Sequence, residues 1–149
     1  MSALGRPRGE ASEVVMKRGR AGRVVAGVAA LGFLATAALH STGYPSITRL
    51  ATGVPGMLGA AMPALWLAFS IDLIVVGVVV ALVAIRPGPA ARLILGVAAV
   101  CPLGAAGLQI RFIGFVPPTA ILLAVGFVTL TAAVLGLGYQ RAANEAAQQ

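Results

Sequence analysis

Charge is scarce in this sequence. Only 10% of its 149 residues are Asp, Glu, Lys or Arg, against roughly 25% in ordinary soluble domains. Acidic residues are scarcer still, four in all. One cysteine, Cys101, cannot form an internal disulfide, and there is no CxxC or Cys/His cluster to suggest a metal centre. One histidine, His40, is too few for a zinc site within a single chain. Aromatic residues make up 5% of the chain, and none stands among the basic residues of the N-terminal stretch. These gaps exclude a soluble globular enzyme, a secreted disulfide scaffold, a disordered tail protein and a nucleic-acid partner.

Apolar residues are abundant instead, at 59%, with a mean hydropathy of +0.97. A helix needs about 20 such residues to cross a bilayer. The chain has room for four spans and short connections. The expected fold is all-α, an integral membrane four-helix bundle. Residues 1–20 are expected to form a flexible basic tail, 21–141 the transmembrane domain, and 142–149 a short polar tail. The spans are expected at about 23–41, 62–85, 93–110 and 116–138.

Local signals set those bounds. The basic flank and Ala35-Thr36-Ala37 resemble a signal peptide with its cleavage site. The long basic region and the three later spans favour an uncleaved first helix. The segment after His40 is rich in small and polar residues and reads as a loop, with one or two interfacial helical turns over Ser46–Thr52. Pro63 suits the first turn of the second span, where its missing N–H is harmless. Arg86-Pro87-Gly88-Pro89 is a hard stop. Pro102 falls inside the third span, and Pro117-Pro118 open the fourth. Gly27, Gly32, Gly96, Gly104, Gly107 and Gly126 are expected to permit close helix packing, with Ala132 and Gly136 as a further small pair.

The net charge of +7 is unevenly placed. With the N-terminus inside, Arg6, Arg8, Lys17, Arg18, Arg20, Arg23, Arg86, Arg92 and Arg141 lie on the inner side, and only Arg49 and Arg111 on the outer. That asymmetry places both termini in the cytoplasm of a bacterial-type plasma membrane. The basic cluster would anchor the helix end and favour anionic lipid headgroups.

The candidate chemistry lies in the few polar residues. Asp72 falls near mid-membrane, where an acid costs about 2.5–3.5 kcal/mol on insertion scales and normally faces the bundle interior or a wet cavity. It could carry a proton, act as acid or base, or fix helix packing as a neutral acid. His40, at the outer end of the first span, could be the matching base or an interfacial residue. Thr36 lies one turn deeper on the same face. Tyr44 could assist the proton transfer, and Trp66 fits an outer aromatic belt. Gln109 could orient a substrate or bond another helix, and Arg111 could hold an anionic group or snorkel. Asp72, His40 and Tyr44 are thus the catalytic candidates; Gln109, Arg111, Trp66 and Thr36 are the binding candidates.

No phosphate loop, serine elbow or HExxH is present. No cofactor or metal is expected. Two function classes follow. One is a membrane-embedded isomerase or cyclase acting on a small lipophilic substrate from an outward-side pocket. The other is a non-catalytic accessory protein or proton-linked transporter subunit, as a homo-oligomer or within a larger membrane complex.

Overall fold

A computed structural model describes the backbone of residues 8–136 and the side chains of 16–136. The chain is all-α, with no strand among the described residues. Its elements are α1 (Arg8–Thr42), α2 (Tyr44–Ala51), α3 (Gly56–Ile85), α4 (Ala91–Phe112) and α5 (Pro117–Leu135). Four segments are long and apolar enough to cross a membrane: Met16–Ala51, which takes in most of α1 and α2, and the helices α3, α4 and α5.

Helix boundaries follow the chemistry of the breakers. Pro87 disfavours α geometry at Arg86, whose φ of −126° and ψ of 76° end α3. Pro117 and Pro118 occupy the first turn of α5, where an amide proton would have no partner. Val75–Val83 is helical despite its β-branched residues, because an isolated strand in lipid leaves its backbone unbonded.

Two boundaries differ from expectation. Helix α1 begins at Arg8, so residues 8–20 extend the first span rather than forming a flexible tail. Extending an existing helix adds one hydrogen bond per residue fixed, and no proline interrupts this stretch. Helix α3 begins at Gly56, which leaves Pro63 inside it. The added turns pack on α2, and a Cβ at Gly59 would stand 2.9 Å from the Ala51 carbonyl oxygen. A proline within a lipid-embedded helix is tolerated when its surroundings compensate. The expected turns at Ser46–Thr52 are α2 itself. The Gly138, Tyr139 and Arg141 end of the fourth span and the tail 142–149 lie outside the described residues.

Helix α1 is the hub. It packs on α2, α3 and α5; α5 packs on α4; α3 and α4 meet only sparsely. The order in space is α3, α1, α5, α4. The register is antiparallel at each seam. On α1 and α3, His40 meets Ser70 and Phe33 meets Gly77. On α1 and α5, Gly22 meets Gly136 and Gly32 meets Val125. On α4 and α5, Gln109 meets Thr119 and Leu103 meets Gly126.

The core consists of small residues around a few large ones. Ala26, Ala29, Ala30 and Ala37 line the buried side of α1, and Phe33 is fully buried in one cluster with Leu73 and Val80 of α3 and Leu122 of α5. Lipid is as apolar as leucine, so helix association here rests on close van der Waals packing. Of the six glycines expected to allow it, Gly32 and Gly126 do; nothing lies within 4 Å of a Cβ placed on Gly27, Gly96, Gly104 or Gly107. The close approaches also fall at Gly22 and Gly77. Helix spacing alone could not assign them, because every face of these helices is apolar.

At the end rich in basic residues, α5 stops at Gly136, whose φ of +73° suits a residue without a Cβ. Arg18 of α1 donates to the Val134 carbonyl at 3.4 Å. The Arg92 guanidinium of α4 packs against Gly136, 2.7 Å from where a Cβ would stand. Two cations therefore sit at the negative end of the α5 dipole, beside carbonyls that the helix leaves unbonded.

Candidate functional site

Polar side chains come together at two places, both toward the α2 end. The first joins α1 and α3. The His40 ring stacks on Trp66 with centroids 3.9 Å apart and planes 15° from parallel. Phe69 meets the same ring edge-on at 4.9 Å. Trp66 Nε1 donates to the His40 carbonyl at 2.8 Å. That carbonyl also accepts from the Gly43 amide, which ends α1 and turns the chain into α2. His40 Nδ1 and Ser70 Oγ are 2.9 Å apart, and Ser70 Oγ also donates to the Trp66 carbonyl at 3.3 Å. The hydroxyl has one proton. Given to Trp66, it leaves Oγ to accept from Nδ1–H, and the imidazole lone pair falls on Nε2.

The spacing explains why these residues meet. Trp66, Phe69 and Ser70 stand three and four positions apart, so they share one face of α3. Ser70 and Phe69 were not among the sequence-derived candidates. Their signal was the i, i+4 relation of Ser70 to Trp66. Ser70 is only 3% exposed. Its pairing with imidazole has the length of a nucleophile–base contact, but the buried oxygen is already engaged on two sides.

The second cluster joins α4 and α5. Thr119 Oγ1, fully buried, donates to Gln109 Oε1 at 2.8 Å. It also accepts from the Val116 amide at 3.4 Å, closing the turn before α5. Thr119 too was missed; its place just after Pro117-Pro118 is the signal for a hydroxyl serving a helix start. Gln109 therefore acts as an interhelical hydrogen-bond acceptor.

The other candidates stand apart from these clusters. Thr36 is buried and donates to the Gly32 carbonyl of its own helix at 2.7 Å. Tyr44 is half-buried in the first turn of α2. Arg111 is exposed and lies 5.4 Å from the centroid of the Phe112 ring. Thr129 and Thr131 bond carbonyls four residues back, Val125 and Phe127. Among the described residues, no three His, Cys, Asp or Glu side chains gather as metal ligands.

Asp72 has a different environment. It lies on the exposed flank of α3 rather than on the buried stripe of Ser70, Leu73 and Gly77. Its carboxylate is near enough to act electrostatically on Cys101 of α4. It makes no hydrogen bond or ion pair among the described residues. At 100° per residue it stands about 200° around α3 from Ser70, which holds the His40 ring.

No protein family, curated protein or solved structure matches this chain.

Proposed function

We propose that this protein is a non-catalytic accessory subunit that assembles laterally with other components of a plasma membrane, with both its termini on the cytoplasmic side. One contrast carries the proposal. Every hydroxyl, imidazole, indole and amide side chain described within the four long helices is hydrogen-bonded inside the chain. Asp72, the only acid in those helices whose side chain is described, is not, and it faces outward. A carboxyl group in that position is expensive in lipid and is relieved by a protein neighbour.

An isomerase or cyclase would need His40 and Asp72 to act on one substrate as base and acid. The ring contacts of His40 and the opposite flank taken by Asp72 support the assembly role instead. A proton-linked transporter subunit would use the same exposed carboxyl within an assembly.

Photo-crosslinking in the native membrane tests the proposal. A diazirine side chain at Val75, beside Asp72, is expected to give one discrete adduct. The adduct should disappear in Asp72→Asn. The same group at Leu31 on α1 should give lipid adducts only. Equal labelling from both positions, or an adduct indifferent to Asp72→Asn, defeats the proposal.

A further inference from the structure

The flank of α3 that carries Asp72 has the chemistry to select its partner. We infer, resting on the assembly role above, that it receives a transmembrane helix of another protein bearing a lysine or arginine at mid-membrane.

Depth is the first observation. Asp72 is 16 residues from Gly56 and 13 from Ile85, so about 24 Å and 20 Å from the two ends of α3 at 1.5 Å per residue. The carboxyl is therefore far from either headgroup layer and cannot reach water by snorkelling.

Charge is the second. Ionisable groups in the hydrocarbon region pair with one another or face polar surroundings. Among the described residues the chain offers Asp72 no cation at its own depth. Lys17, Arg18, Arg20, Arg23, Arg86 and Arg92 lie at one end of the described bundle, Arg49 and Arg111 at the other. A second copy, parallel or antiparallel, brings its basic residues to the same two levels. The counter-charge must come from a different chain.

Shape is the third. Leu65, Ala68, Asp72, Val75, Val79 and Leu82 are all exposed. They alternate three and four residues apart, the spacing that lets a second helix pack its knobs along a straight seam. Across the sparse α3–α4 contact, Gly104 is exposed and a Cβ there would meet nothing within 4 Å. The flank is thus an apolar helical seam with its one acid at the centre. A partner ammonium or guanidinium would give the unbonded Asp72 carboxyl a charge-assisted pair.

The full chain in phosphatidylcholine vesicles tests this with a defined probe. The probe is a leucine–alanine transmembrane peptide with one central lysine, labelled for energy transfer. Its comparison carries leucine at that position. The lysine peptide is expected to associate at least about tenfold more tightly, a difference of about 1.4 kcal/mol. Asp72→Asn should erase the preference, and Asp72→Lys should transfer it to a peptide with a central glutamate. Because Asp72 is exposed, these variants are expected to keep the helix content of the parent, which circular dichroism checks.

Equal binding of the two peptides, or a lysine preference that survives Asp72→Asn, overturns the inference. Asp72-dependent energy transfer between two labelled copies without peptide also overturns it, in favour of a homo-oligomer. So does competition for the peptide by tetraphenylphosphonium at stoichiometric levels, in favour of a small lipophilic cation. The two proposals fail separately. Loss of the peptide preference with a persistent, Asp72-dependent crosslink in native membranes rejects the partner's chemistry and keeps the assembly role. A peptide preference without the native crosslink rejects the assembly role.

Discussion

Two glycines five residues apart on α1 should respond in opposite directions to the same substitution. A Cβ on Gly22 would fall on the Gly136 carbonyl oxygen and 2.9 Å from its carbon. These are backbone atoms, so no side-chain rotation relieves the overlap. Helices α1 and α5 must separate by something on the order of 1 Å to restore ordinary contact. That shift also loosens Arg18 from the Val134 carbonyl. Overpacking of this kind costs about 1–3 kcal/mol, with backbone overlap toward the upper end. A helix-interior Gly→Ala change recovers about 1 kcal/mol of intrinsic propensity. The net effect of Gly22→Ala is a loss of about 1–2 kcal/mol.

At Gly27 nothing lies within 4 Å of the added Cβ. Only the propensity gain remains, and Gly27→Ala is expected to be neutral or to stabilise by up to about 1 kcal/mol. The two variants should therefore differ by about 2 kcal/mol, roughly 30-fold in the unfolding equilibrium. Steric trapping in bicelles measures this reversibly. Equal stability of the two variants, or a Gly22→Ala protein as stable as its parent, would refute the α1–α5 contact at this point.

Three further expectations follow from single contacts. Phe33→Ala empties the centre of the core and should cost about 3–5 kcal/mol, whereas Phe127→Ala on the outward face of α5, 58% exposed, should cost less than about 1 kcal/mol in the same unfolding assay. Thr119→Val and Gln109→Leu should couple in a double-mutant cycle by about 0.6–1.7 kcal/mol, the span measured for such bonds in membranes; a coupling of zero would mean that the α4–α5 bond is not formed. Trp66 is the only tryptophan, so its emission reports the α1–α3 contact directly. His40→Ala should remove the stacked ring and make Trp66 markedly easier to quench with brominated lipid, while Thr36→Ala, one turn away, should leave the quenching unchanged.

The helices were legible in the sequence and their contacts were not, for one physical reason. Proline pairs, basic residues and run length locate α4, α5 and the end of α3 to within a few residues, because the bilayer fixes how long an apolar run must be. Packing partners are normally read from an apolar stripe against a polar one. In α3 both the buried Leu73 and the exposed Ile71 are apolar, so the stripe carries no information. The usable signal was size. Gly19, Gly22, Ala26, Ala29 and Ala37 fall on the buried side of α1, and their smallness marks the hub. For the site, His40, Trp66 and Gln109 could be singled out as polar exceptions. Their pairing with Ser70 and Thr119 depends on which helices are neighbours, and that was the missing information.

When hydrophobicity cannot discriminate, a bundle is specified by its small residues and its hydrogen bonds. Three seams here have both. The α1–α3 seam has Gly77 on Phe33 and the His40–Ser70 and Trp66–His40 bonds. The α1–α5 seam has Gly22 on Gly136 and Arg18 on the Val134 carbonyl. The α4–α5 seam has Gly126 on Leu103 and Thr119 on Gln109. The α3–α4 seam has neither among the described residues: its helices share no hydrogen bond, and Gly96, Gly104 and Gly107 meet nothing. A helix-interior glycine without a packing role forfeits about 1 kcal/mol relative to alanine. Gly96, Gly104 and Gly107 therefore lend α4 no close approach to a neighbouring helix of this chain. The seam left open is the one on which Asp72 stands.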